Sequence, residues 1–352
     1  MQSHENLFRI IDAPPRPEQA QRGGPHFKLP IVDSLAPAPA KPAPRESVPA
    51  PEVPPLEESD SLLARLTARA MAAGMNLLMG NFPPTVRIET TSRCNAACTF
   101  CPRDTMNRPK ETMDDELFEK IVRECAAANC KLLHLHNFGE PLLDKALPDR
   151  IAMAKKLGIR RVKLFSNGSL LRDETARRLL HSGLDEIKIS IDGANAEEFN
   201  ELRVGLSHAK VVENVRQFKA MRDAADKQGE LKIIATCTQT SDKALTDKFL
   251  HGMVDRIDYT RLHNWAGALG SLVNRRIRKP CDRLWRTFTV LANGNVSICC
   301  RDYAGRELVG NVRTHSIREI WRNQRYHEIR SLHSRSKQKG IGACSDCSSS
   351  FW

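Results

Sequence analysis

The chain has 352 residues, enough for one large or two ordinary domains, and it carries a formal net charge of +12 and 11 cysteines. It contains no run of about 18 apolar residues that could span a bilayer, and its first residues lack the pattern of a secretory signal, so we expect a cytoplasmic protein without a membrane partner. In that reducing compartment eleven cysteines indicate metal or redox chemistry rather than structural disulfides.

Proline and alanine dominate the beginning of the chain. Residues 1–57 contain 13 of the 20 prolines and few large apolar side chains. Such a segment cannot bury enough surface to offset chain entropy, so we predict a disordered tail. Residues 58–83 follow a helical pattern that stops at two prolines, which predicts an N-terminal helix.

Short apolar strands alternate with helical stretches over residues 84–270. The six predicted strands are Thr85–Glu89, Lys131–His136, Arg161–Ser166, Glu186–Ile191, Leu231–Ala235 and Arg256–Leu262. The main helical segments between them are Asp114–Ala128, Leu147–Leu157, Asp173–His181 and His208–Lys227. This alternation predicts an α/β fold with a parallel sheet and outer helices. Functional residues of such folds collect at the carboxyl ends of the strands.

Three cysteines follow the first strand within eight residues. Cys94, Cys98 and Cys101 lie in the segment CNAACTFC, with gaps of three and two residues. Three thiolates this close can bind three irons of a cubane cluster and leave the fourth iron open to a small molecule. There are two alternatives. One is a zinc site, although a suitably placed fourth ligand is missing, and the other is a set of free buried thiols.

This cysteine spacing resembles the signature of the radical S-adenosylmethionine (radical SAM) enzymes. In that family SAM binds the open iron of a 4Fe–4S cluster, and an electron from the cluster cleaves SAM to methionine and a 5′-deoxyadenosyl radical. The resemblance implies a partial, TIM-like (β/α)6 barrel over residues 84–270. It also implies a flavodoxin or ferredoxin-type reductant as a partner.

The resemblance extends to the segments that follow the later strands. It implies six SAM-binding residues: Phe100, Gly139, Glu140, Ser166, Ser190 and Arg203. Phe100 matches an aromatic residue near adenine, and Gly139-Glu140-Pro141 matches the segment that holds the SAM amino group. Arg203 is expected to pair with the SAM carboxylate or, alternatively, to form a surface ion pair.

Four further cysteines form a second set in the last quarter of the chain. Cys281, Cys299, Cys344 and Cys347 are separated by 17, 44 and 2 residues, and a predicted hairpin turn at Asn293-Gly294 lies among them. These thiols could complete an auxiliary 4Fe–4S cluster or a zinc site. Residues 271–352 resemble the SPASM and Twitch auxiliary-cluster modules, as in enzymes of the 2-deoxy-scyllo-inosamine dehydrogenase type. With five cysteines after Gly270, the single-cluster Twitch form fits better. We therefore predict a separate C-terminal module.

Three other residues are candidates for catalysis. Cys237 should lie beyond the fifth strand near the active-site end, and Cys300 lies beside a predicted ligand, so either thiol could deliver a hydrogen atom. His263 follows the sixth strand together with Asn264 and Trp265, where a substrate contact or simple packing is expected. The default for a free cysteine is burial as a small apolar side chain.

The leading functional hypothesis is oxidation of a sugar or cyclitol alcohol, with the auxiliary cluster accepting an electron. The alternatives are modification of a ribosomally made peptide, epimerisation of a sugar, and a non-catalytic iron–sulfur electron carrier. The last 82 residues carry 16 Lys and Arg against 6 Asp and Glu. This excess suits a phosphorylated ligand or a solvated surface, whereas nucleic acid is not expected as a partner.

Overall fold

The computed structural model describes residues 62–270 and 278–351, so the predicted tail of residues 1–57 lies outside the described residues. The helices are α1 Leu62–Leu78, α2 Asp115–Ala127, α3 Leu147–Lys156, α4 Asp173–His181, α5 Ala196–Leu202, α6 His208–Ala224, α7 Lys243–Leu250, α8 Arg283–Arg286, α9 Ile317–Trp321 and α10 Gln324–Ser334. The strands are β1 Thr85–Ile88, β2 Leu132–His134, β3 Val162–Ser166, β4 Glu186–Ser190, β5 Lys232–Cys237, β6 Arg256–Tyr259, β7 Thr287–Val290, β8 Asn295–Ser297 and β9 Leu308–Asn311. Within the described part, no helix combines the length and apolar character needed to cross a membrane.

The six predicted strands lie parallel in one sheet, which confirms the α/β class and the partial barrel. The strand order is β6-β5-β4-β3-β2-β1-β7-β8-β9, and β1 to β6 lie side by side in chain order. Alternation along each strand separates the two faces. In β1, Val86 and Ile88 are fully buried in the apolar core, whereas Arg87 between them lines a cavity on the opposite face.

The strands of the C-terminal segment continue the sheet of the preceding region rather than forming a sheet of their own. Strand β7 lies parallel to β1, with Thr85 opposite Thr287 and Ile88 opposite Val290. The predicted hairpin joins β7 to β8 through a turn in which Gly294 has a φ of +89°, a conformation that glycine adopts without strain. The backbone ladder between β1 and β7 therefore places both cysteine segments against one continuous sheet.

Helix α1 packs against α10. The indole Nε1 of Trp285 donates to Asn76 Oδ1 at 2.6 Å, and that of Trp321 donates to the carbonyl oxygen of Gly80 at 3.3 Å. The predicted N-terminal helix is thus held by tryptophans of the C-terminal segment.

Helix starts follow local capping signals. Asp114 accepts a hydrogen bond from the backbone N–H of Leu117 at 2.8 Å and begins α2. Ser316 and Glu319 form a reciprocal capping box at the start of α9. These caps fix where the loops that carry the cysteines end.

Candidate functional site

A cavity of about 630 Å³ lies at the carboxyl ends of the parallel strands. Residues from all parts of the sequence prediction line it: Cys94, Cys98, Phe100, Cys101, Gly139, Glu140, Ser166, Ser190, Arg203, His263 and Cys300. The fold thus gathers the first cysteine set and every predicted SAM-binding residue around one space.

The first cysteine set lies on a loop that the end of α5 holds in place. The backbone N–H groups of Ala97 and Thr99 donate to the carbonyl oxygens of Val204 and Leu202 at 2.8 and 3.0 Å. The three thiols are half-buried and free, and burial raises the pKa of Cys101 to about 11. Because a metal favours the thiolate form, such thiols would deprotonate on binding iron.

The described residues contain no group of three or more His, Cys, Asp or Glu side chains arranged around a point that could hold one metal ion. A cubane cluster requires its ligands around a larger volume. Three half-buried thiols on one loop, facing a cavity, fit a cluster with one open iron.

Gly139 lies where no side chain fits. A Cβ atom there would lie 2.3 Å from the carbonyl oxygen of Thr91 and 2.9 Å from that of Arg93. The next residue, Glu140, donates its backbone N–H to the Arg93 carbonyl at 2.8 Å. The loop after β2 is therefore pressed against the chain just before Cys94.

The carboxylate of Glu140 is buried and joins the ends of β2 and β3. It accepts hydrogen bonds from Ser166 Oγ at 2.7 Å, from the backbone N–H of Asn167 at 2.7 Å and from that of Leu142 at 3.1 Å. Burial raises the pKa of Glu140, which these hydrogen bonds partly offset. Two predicted SAM-binding residues, Glu140 and Ser166, thus contact each other directly.

Arg203 forms a buried ion pair rather than the surface pair considered from the sequence. Its Nε lies 2.7 Å from Asp192 Oδ2, and its Nη1 donates to the sulfur of Cys98 at 3.5 Å. The guanidinium also lies over the ring of Phe100, 5.0 Å from the centroid. Asp192 in turn accepts from the backbone N–H of Thr238 at 2.6 Å. Arg203 therefore connects the cysteine loop to the ends of β4 and β5.

Cys237 lies at the carboxyl end of β5, as expected, but its side chain does not line the cavity. Thr236 and Thr238 line the cavity, and because side chains alternate along β5, Cys237 points away from it. Its thiol is buried and donates to the carbonyl oxygen of Gln239 at 3.3 Å, and burial raises its pKa to about 12. Of the two candidate hydrogen donors, Cys300 is the one that lines the cavity.

Residues 263–265, which follow β6, have different roles. His263 lines the cavity, and burial, together with Arg301 and Arg283, lowers its pKa to about 3, so it is neutral at pH 7. Trp265 donates its indole N–H to the carbonyl oxygen of Phe100 at 2.7 Å. Asn264 is buried, and it holds the C-terminal chain on both sides of Cys347.

The contacts of Asn264 are with main-chain atoms of that chain. Its Nδ2 donates to the carbonyl oxygen of Asp346 at 2.5 Å, and its Oδ1 accepts from the backbone N–H of Ser348 at 3.0 Å. The sequence left open whether this segment contacts substrate or only packs, and Asn264 has a packing role.

The second cysteine set lines a smaller cavity of its own, formed by Cys281, Cys299, Cys344 and Cys347 together with His333. His333 Nδ1 accepts the backbone N–H of Cys281 at 3.2 Å, and burial raises the pKa of Cys281 to about 11. Four thiols, one before α8, one after β8 and two from the C-terminal loop, fit the ligand set of an auxiliary cluster. Arg283 and Arg301 line both cavities, so the two spaces adjoin.

Two charged residues of the site were missed by sequence reasoning. Glu89, immediately after β1, is fully buried and accepts backbone hydrogen bonds from Phe138 and Ala292, each at 3.2 Å. Arg87, within β1, lines the cavity and bonds to Nε2 of His136. The sequence signal for both residues is the segment TVRIE, in which the charged Arg87 and Glu89 flank the apolar Ile88.

Two family models match the chain. Residues 88–223 match the radical SAM superfamily, and residues 281–348 match the SPASM iron–sulfur cluster-binding domain.

Curated relatives match about a third of the chain. The probable GTP 3′,8-cyclase of Methanothermobacter marburgensis is 32% identical over 114 residues, which cover 32% of this chain and 37% of that protein. The GTP 3′,8-cyclase of a Synechococcus species is 36% identical over 114 residues, or 32% of each chain. The match therefore spans about a third of the length of these relatives.

Solved structures share the fold over most of the chain. BtrN in complex with AdoMet and 2-DOIA has a TM-score of 0.54 at 20% identity, covering 75% of this chain and 92% of that one. Native anSMEcpe with bound AdoMet has a TM-score of 0.55 at 18% identity, with coverage of 75% and 89%. Streptococcus suis SuiB bound to precursor peptide SuiA has a TM-score of 0.53 at 15% identity, with coverage of 80% and 72%.

Proposed function

The chain is a radical SAM enzyme with a C-terminal SPASM iron–sulfur domain, and we propose that it oxidises a hydroxyl group of a sugar or cyclitol to a ketone. Its cofactors are SAM and 4Fe–4S clusters. In this proposal Cys94, Cys98 and Cys101 hold the SAM-binding cluster. The auxiliary cluster is held by the second cysteine set, Cys281, Cys299, Cys344 and Cys347.

The cofactors supply a 5′-deoxyadenosyl radical, formed when one electron cleaves SAM, and this radical removes a hydrogen atom from a substrate carbon. An alcohol carbon that loses this hydrogen atom, then its hydroxyl proton and one electron, becomes a ketone. The hydrogen atom goes to 5′-deoxyadenosine, the proton to a base and the electron to the auxiliary cluster. One electron enters from the external reductant for each one that leaves, so the reaction balances.

The observation that carries this proposal is the shared lining of one cavity. Cys94, Cys98 and Cys101 line it together with Cys300, which is next to Cys299, and with Arg283 and Arg301, which also line the smaller cavity. A substrate in this space would contact the region where the radical forms and the region where an electron is accepted. Holding the reacting carbon in such a position is the main contribution of the protein.

The cavity also offers polar contacts to a hydroxylated substrate. Asn137, Thr236, Thr238, Thr260 and His263 line it. The amide and hydroxyl groups can both donate and accept hydrogen bonds, as a sugar or cyclitol requires. This lining supports a polyol more than an apolar side chain.

The test is turnover with a panel of sugars, cyclitols and their phosphate esters. Anaerobically reconstituted enzyme, SAM and a flavodoxin-type reductant should release 5′-deoxyadenosine and a product two mass units lighter than the substrate. Cys98→Ala protein is the control and should give neither. Release of 5′-deoxyadenosine with a product of unchanged mass would contradict oxidation.

Epimerisation is the second candidate, because the thiol of Cys300 lines the cavity. A thiol there could return a hydrogen atom to the opposite face of the substrate carbon, and one electron from the flavodoxin- or ferredoxin-type reductant with one proton from solvent would then restore the thiol from its thiyl radical. Turnover in deuterated water separates the two reactions, because an epimerised product would carry one deuterium at that carbon. Cys300→Ala would then stop product formation without stopping SAM cleavage.

A further inference from the structure

Among the residues that the structure describes, three half-buried arginines line the cavity without a carboxylate partner, and a fourth unpaired arginine of the lining, Arg261, is exposed. Arg87 lies on β1, Arg283 on α8 and Arg301 after β8, and all three are half-buried. None of them forms an ion pair with Asp or Glu among residues 62–270 and 278–351. Their side chains bond instead to the ring of His136, the sulfur of Cys300 and the hydroxyl of Ser349.

The three guanidinium groups converge on one place. Arg283 Nη1 donates to the sulfur of Cys300 at 3.4 Å, and Arg301 is the next residue in the chain. Arg87 lies opposite Thr289 of β7, the strand that directly follows α8. Like charges that line one cavity repel each other, and partial burial weakens the screening by water. The free protein thus keeps a concentration of positive charge that a bound anion would relieve.

Several other enclosed arginines among the described residues pair with carboxylates, although buried Arg330 donates to backbone carbonyl oxygens. Arg108 pairs with Glu89, Arg150 with Asp144, and Arg203, in the same cavity, with Asp192. Arg203 lines the same cavity and has a carboxylate partner, whereas Arg87, Arg283 and Arg301 have none within the described ranges. The missing counter-charge at the three arginines is therefore a property of this part of the cavity.

Further polar groups beside these arginines lack partners. A guanidinium group only donates, so His136 Nε2 accepts the hydrogen bond from Arg87 and the ring proton lies on Nδ1. His136 Nδ1, Arg87 Nε and Thr236 Oγ1 are buried and have no hydrogen-bond partner in the described part of the chain. Two of these atoms are N–H donors, which suit an oxygen-rich anion.

We propose that Arg87, Arg283 and Arg301 form a binding site for a phosphate group of the substrate. This inference rests on the proposed function and refines it: the sugar or cyclitol enters as a phosphate ester. Guanidinium groups bind phosphate oxygens in bidentate fashion, and three of them match a dianion better than the single charge of a carboxylate. A phosphate held there would direct the rest of the substrate toward the SAM-binding side.

Charge compensation of the auxiliary cluster is the competing explanation. Arg283 and Arg301 line both cavities and lie near Cys299, so their charges would also stabilise thiolate ligands. Arg87 lines the large cavity and is not among the residues that line the small one. Arg87 therefore separates the two explanations.

The experiment is calorimetric titration of the reconstituted holoenzyme, saturated with SAM, with inorganic phosphate at constant ionic strength. Acetate and myo-inositol serve as the carboxylate and neutral probes. Saturable phosphate binding is expected, weakened about tenfold or more by Arg87→Gln and less by Arg87→Lys. Arg286→Gln is the matched control, because Arg286 is exposed on the same helix as Arg283, and it should bind phosphate like the unaltered protein.

Absence of saturable phosphate binding would overturn the proposal, as would equal binding by Arg87→Gln protein or acetate binding as tight as phosphate binding. Iron content provides the second measurement. It should be unchanged in Arg87→Gln protein, and a loss of iron there would favour charge compensation and overturn the proposal. Phosphate binding requires no turnover, so a failure of this site is distinguishable from a failure to form a ketone.

Discussion

The carboxylate of Glu89 and the guanidinium of Arg108 form a buried bidentate ion pair, with Oε1 to Nη1 and Oε2 to Nη2 distances of 2.5 and 2.6 Å. Glu89 lies at the end of β1, and Arg108 lies on the chain that follows the first cysteine set. Nε of Arg108 also donates to the carbonyl oxygen of Tyr303 at 2.9 Å. One ion pair thus connects the sheet, the SAM-binding side and the C-terminal segment.

Glu89→Gln should strongly destabilise the protein, because Arg108 would keep its buried charge without a counter-charge. Loss of one partner of a buried pair costs about 3 to 5 kcal/mol of unfolding free energy. The matched control is Glu119→Gln, which breaks an exposed pair with Arg123 and should cost less than about 1 kcal/mol. Denaturant unfolding measures both, and equal effects would contradict the role given to Glu89.

Gly139→Ala should impair SAM binding. The new Cβ would lie 2.3 Å from the Thr91 carbonyl oxygen, so the loop after β2 must move away from the first cysteine set. Gly158→Ala is the control, because Gly158 also has a positive φ but no atom within 4 Å of the added Cβ. We expect SAM affinity to fall at least about tenfold in the first variant and to persist in the second. Equal SAM affinity in the two variants would contradict the close approach.

Cys98→Ala should abolish release of 5′-deoxyadenosine and leave the far-ultraviolet circular dichroism of the protein unchanged. Its thiol is half-buried on a loop, so its removal takes away a cluster ligand without opening the core. Cys237→Ala is the matched control, because that thiol faces away from the cavity, and it should retain SAM cleavage. If Cys237→Ala protein cleaved SAM but formed no product, Cys237 would regain its candidacy as a hydrogen donor.

Cys344→Ala should remove the auxiliary cluster and leave the SAM-binding cluster in place. The unaltered protein should bind about eight irons and this variant about four, while SAM cleavage continues and ketone formation stops. Iron and zinc analysis of the reconstituted proteins checks this. About four irons with one zinc in the unaltered protein would instead identify the second cysteine set as a zinc site.

Acid should destabilise the protein through His134. Burial, and then Arg87 and Lys163, lowers its folded-state pKa to about 2, whereas in the unfolded chain it is about 6.5. The unfolded state therefore binds a proton that the folded state excludes, and stability is lost as pH falls below about 6.5. His134→Gln should remove about 1 kcal/mol of the loss between pH 7.5 and 5.5. The exposed His181→Gln variant is the control, and an identical pH slope in all three proteins would contradict this expectation.

Much of the fold was predictable because its signals are local. The six parallel strands and the helices α2, α3, α4 and α6 form within a few residues of their predicted bounds. Apolar periodicity and capping residues determine such elements over short stretches of chain. The cysteine spacings are equally local, which is why they could be recognised before the structure was known.

Side-chain direction was less predictable. Cys237 lies at the active-site end of β5, as expected, but successive side chains along a strand point to opposite faces. Cys237 is therefore buried behind the strand, and its neighbours Thr236 and Thr238 line the cavity.

The sequence by itself determined the class of chemistry, because the three-cysteine loop and the later CxxC pair are contiguous patterns whose spacing reflects a cluster. Only the tertiary structure decided which distant groups meet. The Glu89 carboxylate accepts a hydrogen bond from Ala292, 203 residues away, and Arg87 joins Arg283 and Arg301 at one end of the cavity. Those meetings depend on β7 pairing with β1, and no local pattern encodes a strand pairing across most of the chain.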